Sequence, residues 1–196
     1  MTDPSSFADA GRRRLFYFFL KKVFAHLHNG QDMPKDDYLE ALAFALQAAH
    51  EEDGGRLLVT IPPRHLKSIA AAVALPAWVL GNDPAKKVMV ATYGDELSRE
   101  HASNCASVMK SRWYQSLFPA TRIGSTNQSE LRTTSGGGRR AVSHGGPTTG
   151  FGADLIIVDD LLKAQDAPSE ARRANVRDYF RSALMSRFND PSKGSL

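Results

Sequence analysis

Three short apolar segments rich in β-branched residues alternate with helical stretches along this chain. The segments are RLLVTI (residues 56–61), KVMVAT (residues 87–92) and DLIIVDD (residues 154–160). Apolar runs of this length are typical of strands that are buried on both faces of a parallel sheet. The order of the segments therefore predicts an α/β fold with a mostly parallel sheet flanked by helices.

Helices and a hairpin complete the predicted element order. Apolar residues recur at helical spacing, and turn or cap residues mark the helix ends. The stretch ELRTTSGGGRRAVSH (residues 130–144) has two alternating runs around a glycine-rich turn, which predicts a β-hairpin insertion. The predicted helices cover residues 16–29, 36–49, 67–80, 95–111 and 169–188.

The composition predicts one soluble globular domain rather than a membrane or disulfide-rich protein. The chain has 196 residues, of which 42% are hydrophobic and 23% charged, so a sizeable core is expected. A single cysteine, Cys105, excludes an internal disulfide and favours a reducing, intracellular location. The longest apolar run, residues 69–80, is broken by Pro76 and is too short to cross a bilayer. The formal charge of +4 is compatible with a polyanionic partner without requiring one.

The first apolar segment runs into IPPRHLKS (residues 61–68), which ends in a lysine and a hydroxyl residue at the start of a helix. In a phosphate-binding loop of the pattern G-x-x-x-x-G-K-[ST], the lysine reaches phosphate and the hydroxyl holds magnesium. Here Ile61 and Leu66 occupy the two glycine positions. Lys67 and Ser68 therefore have either these two roles or those of polar residues in the first turn of an ordinary helix.

The third apolar segment ends in two adjacent carboxylates, Asp159 and Asp160. The carboxyl ends of parallel strands are where open α/β sheets bind ligands. Phosphoryl transfer requires one carboxylate for magnesium and a second group that orients the attacking water. The pair predicts either these two roles or a simple turn cap. A strand, a Lys-Ser loop, a helix and then a strand ending in Asp-Asp together favour nucleotide hydrolysis.

Longer stretches in this order resemble the ATPase domain of the large subunit of tailed-phage terminases, from about residue 37 to the last residue. The stretches that carry the resemblance are VTIPPRHLKS, KKVMVATYGDELSREHASN, SRWYQSLFP, TTGFGADLIIVDDLLK and SEARRANVRDYFRSALMSRFNDP. The resemblance implies a P-loop NTPase of the additional-strand class, in which a proline- and arginine-containing loop replaces the glycine-rich one. Many relatives have Glu as the catalytic carboxylate, whereas this chain has the shorter Asp160.

The resemblance also implies the site residues and the partners. Lys67, Arg64 and Asp160 are expected to be catalytic, and Ser68 and Asp159 to hold Mg²⁺. ATP is the expected cofactor. Double-stranded DNA, the terminase small subunit, the portal protein and further copies of the chain in a ring are the expected partners, in the cytoplasm of a bacterial host, with no membrane. The residues expected to line the nucleotide site are Pro63, Arg64, His65, Leu66, Lys67, Ser68 and Ile69.

The resemblance further implies an incomplete ATPase domain. Residues 1–35 are expected to form an N-terminal helical segment, and residues 36–196 a partial ATPase domain without the coupling motif or the nuclease domain. In the additional-strand class, a further strand lies between the two strands that carry the nucleotide site. Without it, a vacancy is expected between residues 56–61 and residues 154–160, unless these two strands pair directly.

Two other functions remain open at this level. One is a prophage remnant that binds nucleotide, DNA or a packaging partner without turnover, and the other is a helicase-like motor. Arg139 and Arg140 beside the glycine-rich turn are expected to be either DNA or subunit contacts or a solvated hairpin tip. Gly150 and Gly152 are expected to have structural roles in tight packing or an unusual backbone angle.

Overall fold

The computed structural model has one five-stranded sheet in the order β2-β3-β4-β1-β5. It describes residues 4–146, 148 and 150–196. β1 pairs in parallel with β4 and β5, whereas β2 and β3 add antiparallel strands at one side. The predicted α/β class is therefore confirmed, but the sheet is mixed rather than mostly parallel. The strands are β1 Lys87–Thr92, β2 Ile123–Thr126, β3 Glu130–Thr133, β4 Gly138–Ser143 and β5 Leu155–Asp159.

The predicted hairpin is present, but it forms part of the main sheet. β3 and β4 pair in antiparallel register around the glycine-rich turn, and β4 then lies beside β1 along its whole length. This places β4 inside the sheet, with a neighbour on each side. The short strand β2, which was not predicted, pairs with β3 and is mostly exposed. Its few apolar residues provide little sequence signal for a strand.

Residues 56–61 were predicted to form a buried strand, and this prediction is wrong. In the described chain they belong to no strand, and Leu58 is 88% exposed. An apolar slot of about 560 Å³ separates residues 56–59 from β5. Ser195 and Leu196 lie at one end of the slot and hydrogen-bond to both sides, through Leu57 and Ile156 among others. A strand requires a partner edge, and along most of this segment the nearest edge is across the slot.

The five predicted helices are present near their expected positions, and two further helices, Pro4–Arg14 and Arg112–Leu117, were not among them. The helix after the phosphate loop begins as a π-helical segment, Ile69–Ala74, and continues as α4. The last helix continues from α7 through a π-helical segment, Phe180–Leu184, and a 3₁₀ turn, Met185–Arg187. The α-helices are α1 Pro4–Arg14, α2 Phe16–Leu27, α3 Asp37–Glu51, α4 Leu75–Asn82, α5 Asp95–Lys110, α6 Arg112–Leu117 and α7 Glu170–Tyr179.

Ser111 explains why the fourth predicted helix and the stretch after it form two helices. Its backbone is extended, with ψ at 147°, and its hydroxyl accepts a hydrogen bond from the Tyr114 N–H. A serine in this conformation satisfies an otherwise unpaired N–H group at a helix start. The capping bond therefore ends α5 at Lys110 and begins α6 at Arg112.

The core consists of two apolar layers on the two faces of the sheet. Val88 and Val90 of β1 pack into the layer that contains α2, α3, α4 and α5, whereas Met89 and Ala91 face the layer beneath the last helix. This division follows from the alternation of side chains along a strand. α2 belongs to the larger layer, where Phe16 packs against Trp78 with ring centroids 5.7 Å apart. No helix within the described ranges is long and apolar enough to cross a membrane.

Candidate nucleotide-binding site

The carboxyl ends of β1 and β5 bring the predicted site residues to one edge of the sheet. Thr92 and Asp159 are register partners at the last position of the two strands. The phosphate loop approaches from the same edge, so that Lys67 Nζ lies 3.0 Å from Asp160 Oδ1 and 3.7 Å from Asp159 Oδ1. A lysine and a carboxylate pair separated by 93 residues in sequence therefore form one cluster.

The loop adopts left-handed backbone conformations without glycine. Arg64 and Leu66 have φ angles of 65° and 60°, and Asp160, opposite the loop, has a φ of 51°. Residues other than glycine seldom adopt this region, and each such residue costs about 1–3 kcal/mol. Leu66 occupies one of the two positions where a typical phosphate loop has glycine. The chain therefore keeps a left-handed turn at this position at the cost of strain, and functional sites are where such strain tends to occur.

Four consecutive backbone amides of the loop have no hydrogen-bond acceptor in the part of the chain that the structure describes. Among the described residues, the N–H groups of His65, Leu66, Lys67 and Ser68 donate to no hydrogen-bond acceptor. A concavity of about 460 Å³ lies next to them, lined by residues 61–69 and by Asp160. Unpaired amides in and just before the first turn of a helix are donors to which anions bind. The Lys67 ammonium beside them adds a positive charge.

Lys67 and Asp160 form a close ion pair at the surface of the cluster. Burial alone lowers the pKa of Lys67, but its hydrogen bond to Asp160 and the charges of Asp160 and Asp159 outweigh burial and raise this pKa. Lys67 is therefore fully charged at neutral pH. Asp160 is 58% exposed, whereas Asp159 is 3% exposed. The two adjacent carboxylates thus differ in access to water.

The remaining loop side chains have distinct environments. His65 Nδ1 donates to the Pro63 carbonyl oxygen at 2.8 Å, and the His65 ring lies 5.4 Å from that of Tyr38. This nitrogen is therefore used within the loop. Arg64 is exposed and, within the described residues, has no ion pair or hydrogen bond for its guanidinium. It is thus available to bind an anion from solvent or from a neighbouring molecule.

A buried histidine, His101 in α5, lies behind Asp159 and was not predicted as a site residue. Its Nδ1 is 3.9 Å from Asp159 Oδ2. Burial lowers the pKa of His101 most, the Asp159 charge opposes this effect, and the Arg139 charge adds to it. The ring is therefore neutral at physiological pH. The sequence gives only a weak indication of this contact. The helix α5 begins three residues after β1 ends, and it therefore passes close to the carboxyl end of the neighbouring strand β5.

Arg139 does not have the position that was expected for a DNA contact. It is 1% exposed, and its Nη2 donates to the Ala72 carbonyl oxygen at 3.2 Å. Since β4 is an inner strand, its side chains alternate between the two covered faces of the sheet, and Arg139 lies on the face that the helix after the phosphate loop covers. Arg140 is half-buried, with its guanidinium 5.7 Å from the centroid of the Phe151 ring. Neither arginine is at an exposed hairpin tip.

The two glycines before β5 have the expected structural roles. Gly150 has a φ of 77°, a left-handed conformation that favours glycine. At Gly152 a Cβ atom would lie 1.9 Å from Asn189 Oδ1, so a larger residue would displace the Asn189 side chain, which donates a hydrogen bond to Asp154 Oδ1. The segment that leads into the carboxylate strand therefore favours glycine for a backbone angle at Gly150, and Gly152 packs closely against the Asn189 side chain.

No three histidine, cysteine, aspartate or glutamate side chains converge as a possible metal-binding group in the described part of the chain.

The comparisons with known proteins identify no family for this chain. No protein-family model matches the sequence, and no curated protein matches it. The clustered lysine, carboxylates and free loop amides are therefore the structural basis for a functional proposal.

Proposed function

We propose that this chain binds ATP with magnesium at the phosphate loop and hydrolyses it, as the ATPase domain of a DNA-packaging terminase large subunit. The observation that carries the proposal is the meeting of Lys67, the free amides of residues 65–68 and the Asp159–Asp160 pair at one edge of the sheet. These are the cation, the dipoles and the carboxylates that phosphoryl transfer requires. The concavity of about 460 Å³ is within the usual size range of ligand pockets.

Each residue has a role that follows from its environment. The loop amides and Lys67 bind phosphate oxygens, and exposed Arg64 adds charge from the same loop or toward a neighbouring subunit. Lys67 exchanges its bond with Asp160 for one with phosphate. Asp160, released and open to water, orients the attacking water molecule and accepts its proton.

The oxygen atoms of Ser68 and Asp159 fit a magnesium ion. Asp159 Oδ1 faces the phosphate loop, 3.7 Å from Lys67 Nζ, and Ser68 is among the residues that line the concavity. Magnesium prefers such oxygen ligands, usually one or two protein oxygens together with phosphates and water. When bound, the ion neutralises charge on the phosphate groups.

The experiment compares the wild-type protein with Lys67→Ala and Asp160→Asn. Lys67→Ala is expected to weaken binding of a fluorescent ATP analogue about tenfold or more, because a charge-assisted phosphate contact is lost. Asp160→Asn is expected to bind normally but to release phosphate about 10²- to 10⁴-fold more slowly, the usual effect of losing a general base. Lys110→Ala, an exposed lysine at the end of α5, is the matched control. Full turnover in both site variants would refute the proposal.

A second candidate function is nucleotide binding without turnover. Two observations favour it: residues 56–59 are separated from β5 by the apolar slot, and Asp160 is held by Lys67. A loop whose preceding segment is not fixed in the sheet positions its amides less rigidly, which reduces catalysis more than binding. A wild-type protein that binds the ATP analogue but releases no phosphate would support this candidate.

A further inference from the structure

The carboxylate of Asp159 faces a histidine that has no role in the proposed reaction. Asp159 Oδ2 and His101 Nδ1 are 3.9 Å apart, and both side chains are buried. Neither atom has a hydrogen-bond partner among the described residues. Buried polar atoms are almost always hydrogen-bonded, because an unpaired one loses its bonds to water without replacement. Because both atoms lack a partner in the described chain and face each other, they indicate a specific contact between His101 Nδ1 and Asp159 Oδ2.

The other carboxylate oxygen of Asp159, Oδ1, faces the phosphate loop. Asp159 Oδ1 lies 3.7 Å from Lys67 Nζ, so the carboxylate is located between the loop lysine on one side and His101 on the other. Nitrogen-to-oxygen hydrogen bonds are about 2.7–3.2 Å long, so a movement of about 1 Å closes the gap to His101. A rotation of the carboxylate on this scale is enough to form the bond.

The path of the chain fixes His101 in this place. Thr92 at the end of β1 is the register partner of Asp159, and α5 begins three residues later at Asp95. α5 then packs against β1 and β4, with His101 on its buried face. The charged groups that act on the His101 ring are Asp159, Arg139, Glu100 and Asp160, and of these only Asp159 forms an ion-pair contact with it in the described residues.

We propose that His101 is a positioning residue whose Nδ1–H donates a hydrogen bond to Asp159 Oδ2 and turns Oδ1 toward the phosphate loop. This inference rests on the proposed function, because it takes Asp159 as the magnesium-binding carboxylate. Hydrogen bonds from a second residue commonly orient carboxylate ligands, and their loss typically costs about 10- to 100-fold in metal affinity or activity. His101 acts through Asp159 and does not contact the nucleotide.

The first test measures the contact itself and does not depend on ATP hydrolysis. The histidine ring resonances of the ¹⁵N-labelled protein are recorded, and those of His101 are assigned from their loss in His101→Asn. Asp159→Asn is expected to shift the His101 ring signals much more than Asp160→Asn, because only Asp159 is within hydrogen-bonding reach after a small movement. Equal shifts in the two variants would overturn the proposal.

The second test measures the magnesium requirement. His101→Leu is expected to raise the Mg²⁺ concentration for half-maximal phosphate release about 10- to 100-fold. His101→Asn, whose amide N–H replaces Nδ1–H, is expected to restore most of the loss. ATP-analogue binding in the presence of EDTA should be equal in all variants. Cys105→Ala, a buried residue one turn further along α5, is the control for packing.

The outcomes separate this inference from the proposed function. A folded His101→Leu protein with an unchanged magnesium requirement would overturn the positioning role while leaving the ATPase proposal intact. A wild-type protein that releases no phosphate would instead contradict ATP hydrolysis. The NMR test remains decisive in that case, and also if His101→Leu does not fold. It compares the His101 ring resonances in Asp159→Asn and Asp160→Asn and so shows whether His101 donates a hydrogen bond to Asp159.

Discussion

The left-handed backbone at Arg64 leads to a prediction about stability that is separate from the arginine's charge. Arg64→Gly and Arg64→Ala both remove the guanidinium, but only alanine keeps the Cβ atom that clashes at a φ of 65°. Glycine relieves about 1–2 kcal/mol of this strain and loses about 0.5–1 kcal/mol more conformational entropy on folding. The glycine variant is therefore expected to be the more stable of the two by about 0.5–1 kcal/mol.

An exposed position with an ordinary backbone angle is the control. Glu52 has a φ of −81°, so Glu52→Gly is expected to be less stable than Glu52→Ala by about 0.5–1 kcal/mol. Urea and thermal unfolding measure both pairs, and for a chain of this length the differences correspond to about 1–4 °C in Tm. The sign of the glycine-minus-alanine difference should reverse between the two positions. A glycine variant that is the less stable one at both positions would refute the strain argument.

Two further predictions concern a half-buried histidine and a closely packed glycine. Burial, and then the charge of Lys86, lower the pKa of His50 below 6.5, so the unfolded chain binds more protons as the pH falls through this region. The free energy of unfolding is therefore expected to decrease below about pH 6.5, and His50→Gln should reduce this slope in urea titrations at several pH values; an equal slope would contradict the assignment. At Gly55 a Cβ atom would lie 2.0 Å from the Ala49 carbonyl oxygen. Gly55→Ala is therefore expected to destabilise the fold by about 1–3 kcal/mol, whereas helical Gly11→Ala, which meets only an ordinary contact, should not; equal stability of the two variants in urea would show that the backbone at Gly55 yields freely.

The elements that sequence predicted correctly are those with a local signal. Helical spacing in α2 and α3, the apolar runs of β1 and β5, and the glycine-rich turn between β3 and β4 each depend on residues within one element. Residues 56–61 had an equally strong apolar signal but form no strand, because a strand exists only where another edge supplies hydrogen bonds. Leu58 is exposed for this reason.

The arginine pair at the hairpin shows the same limit for a single residue. Sequence places Arg139 and Arg140 beside a glycine-rich turn, where exposed cations are common. Which of the two faces inward depends on the register of β4 with β1, and that register buries Arg139. A shift of one residue would exchange their positions, because side chains alternate along a strand.

The sequence by itself determined the α/β class, the approximate positions of five helices and the residues Lys67, Ser68, Asp159 and Asp160 as candidates for one site. Only the tertiary structure decided which groups meet: the lysine with the carboxylate pair, and Asp159 with His101. Local periodicity reports which face of an element is buried, whereas distances between groups far apart in sequence depend on strand order and on how helices pack across the sheet. The left-handed loop at Leu66 likewise required the folded backbone, because no residue type at that position indicates a positive φ.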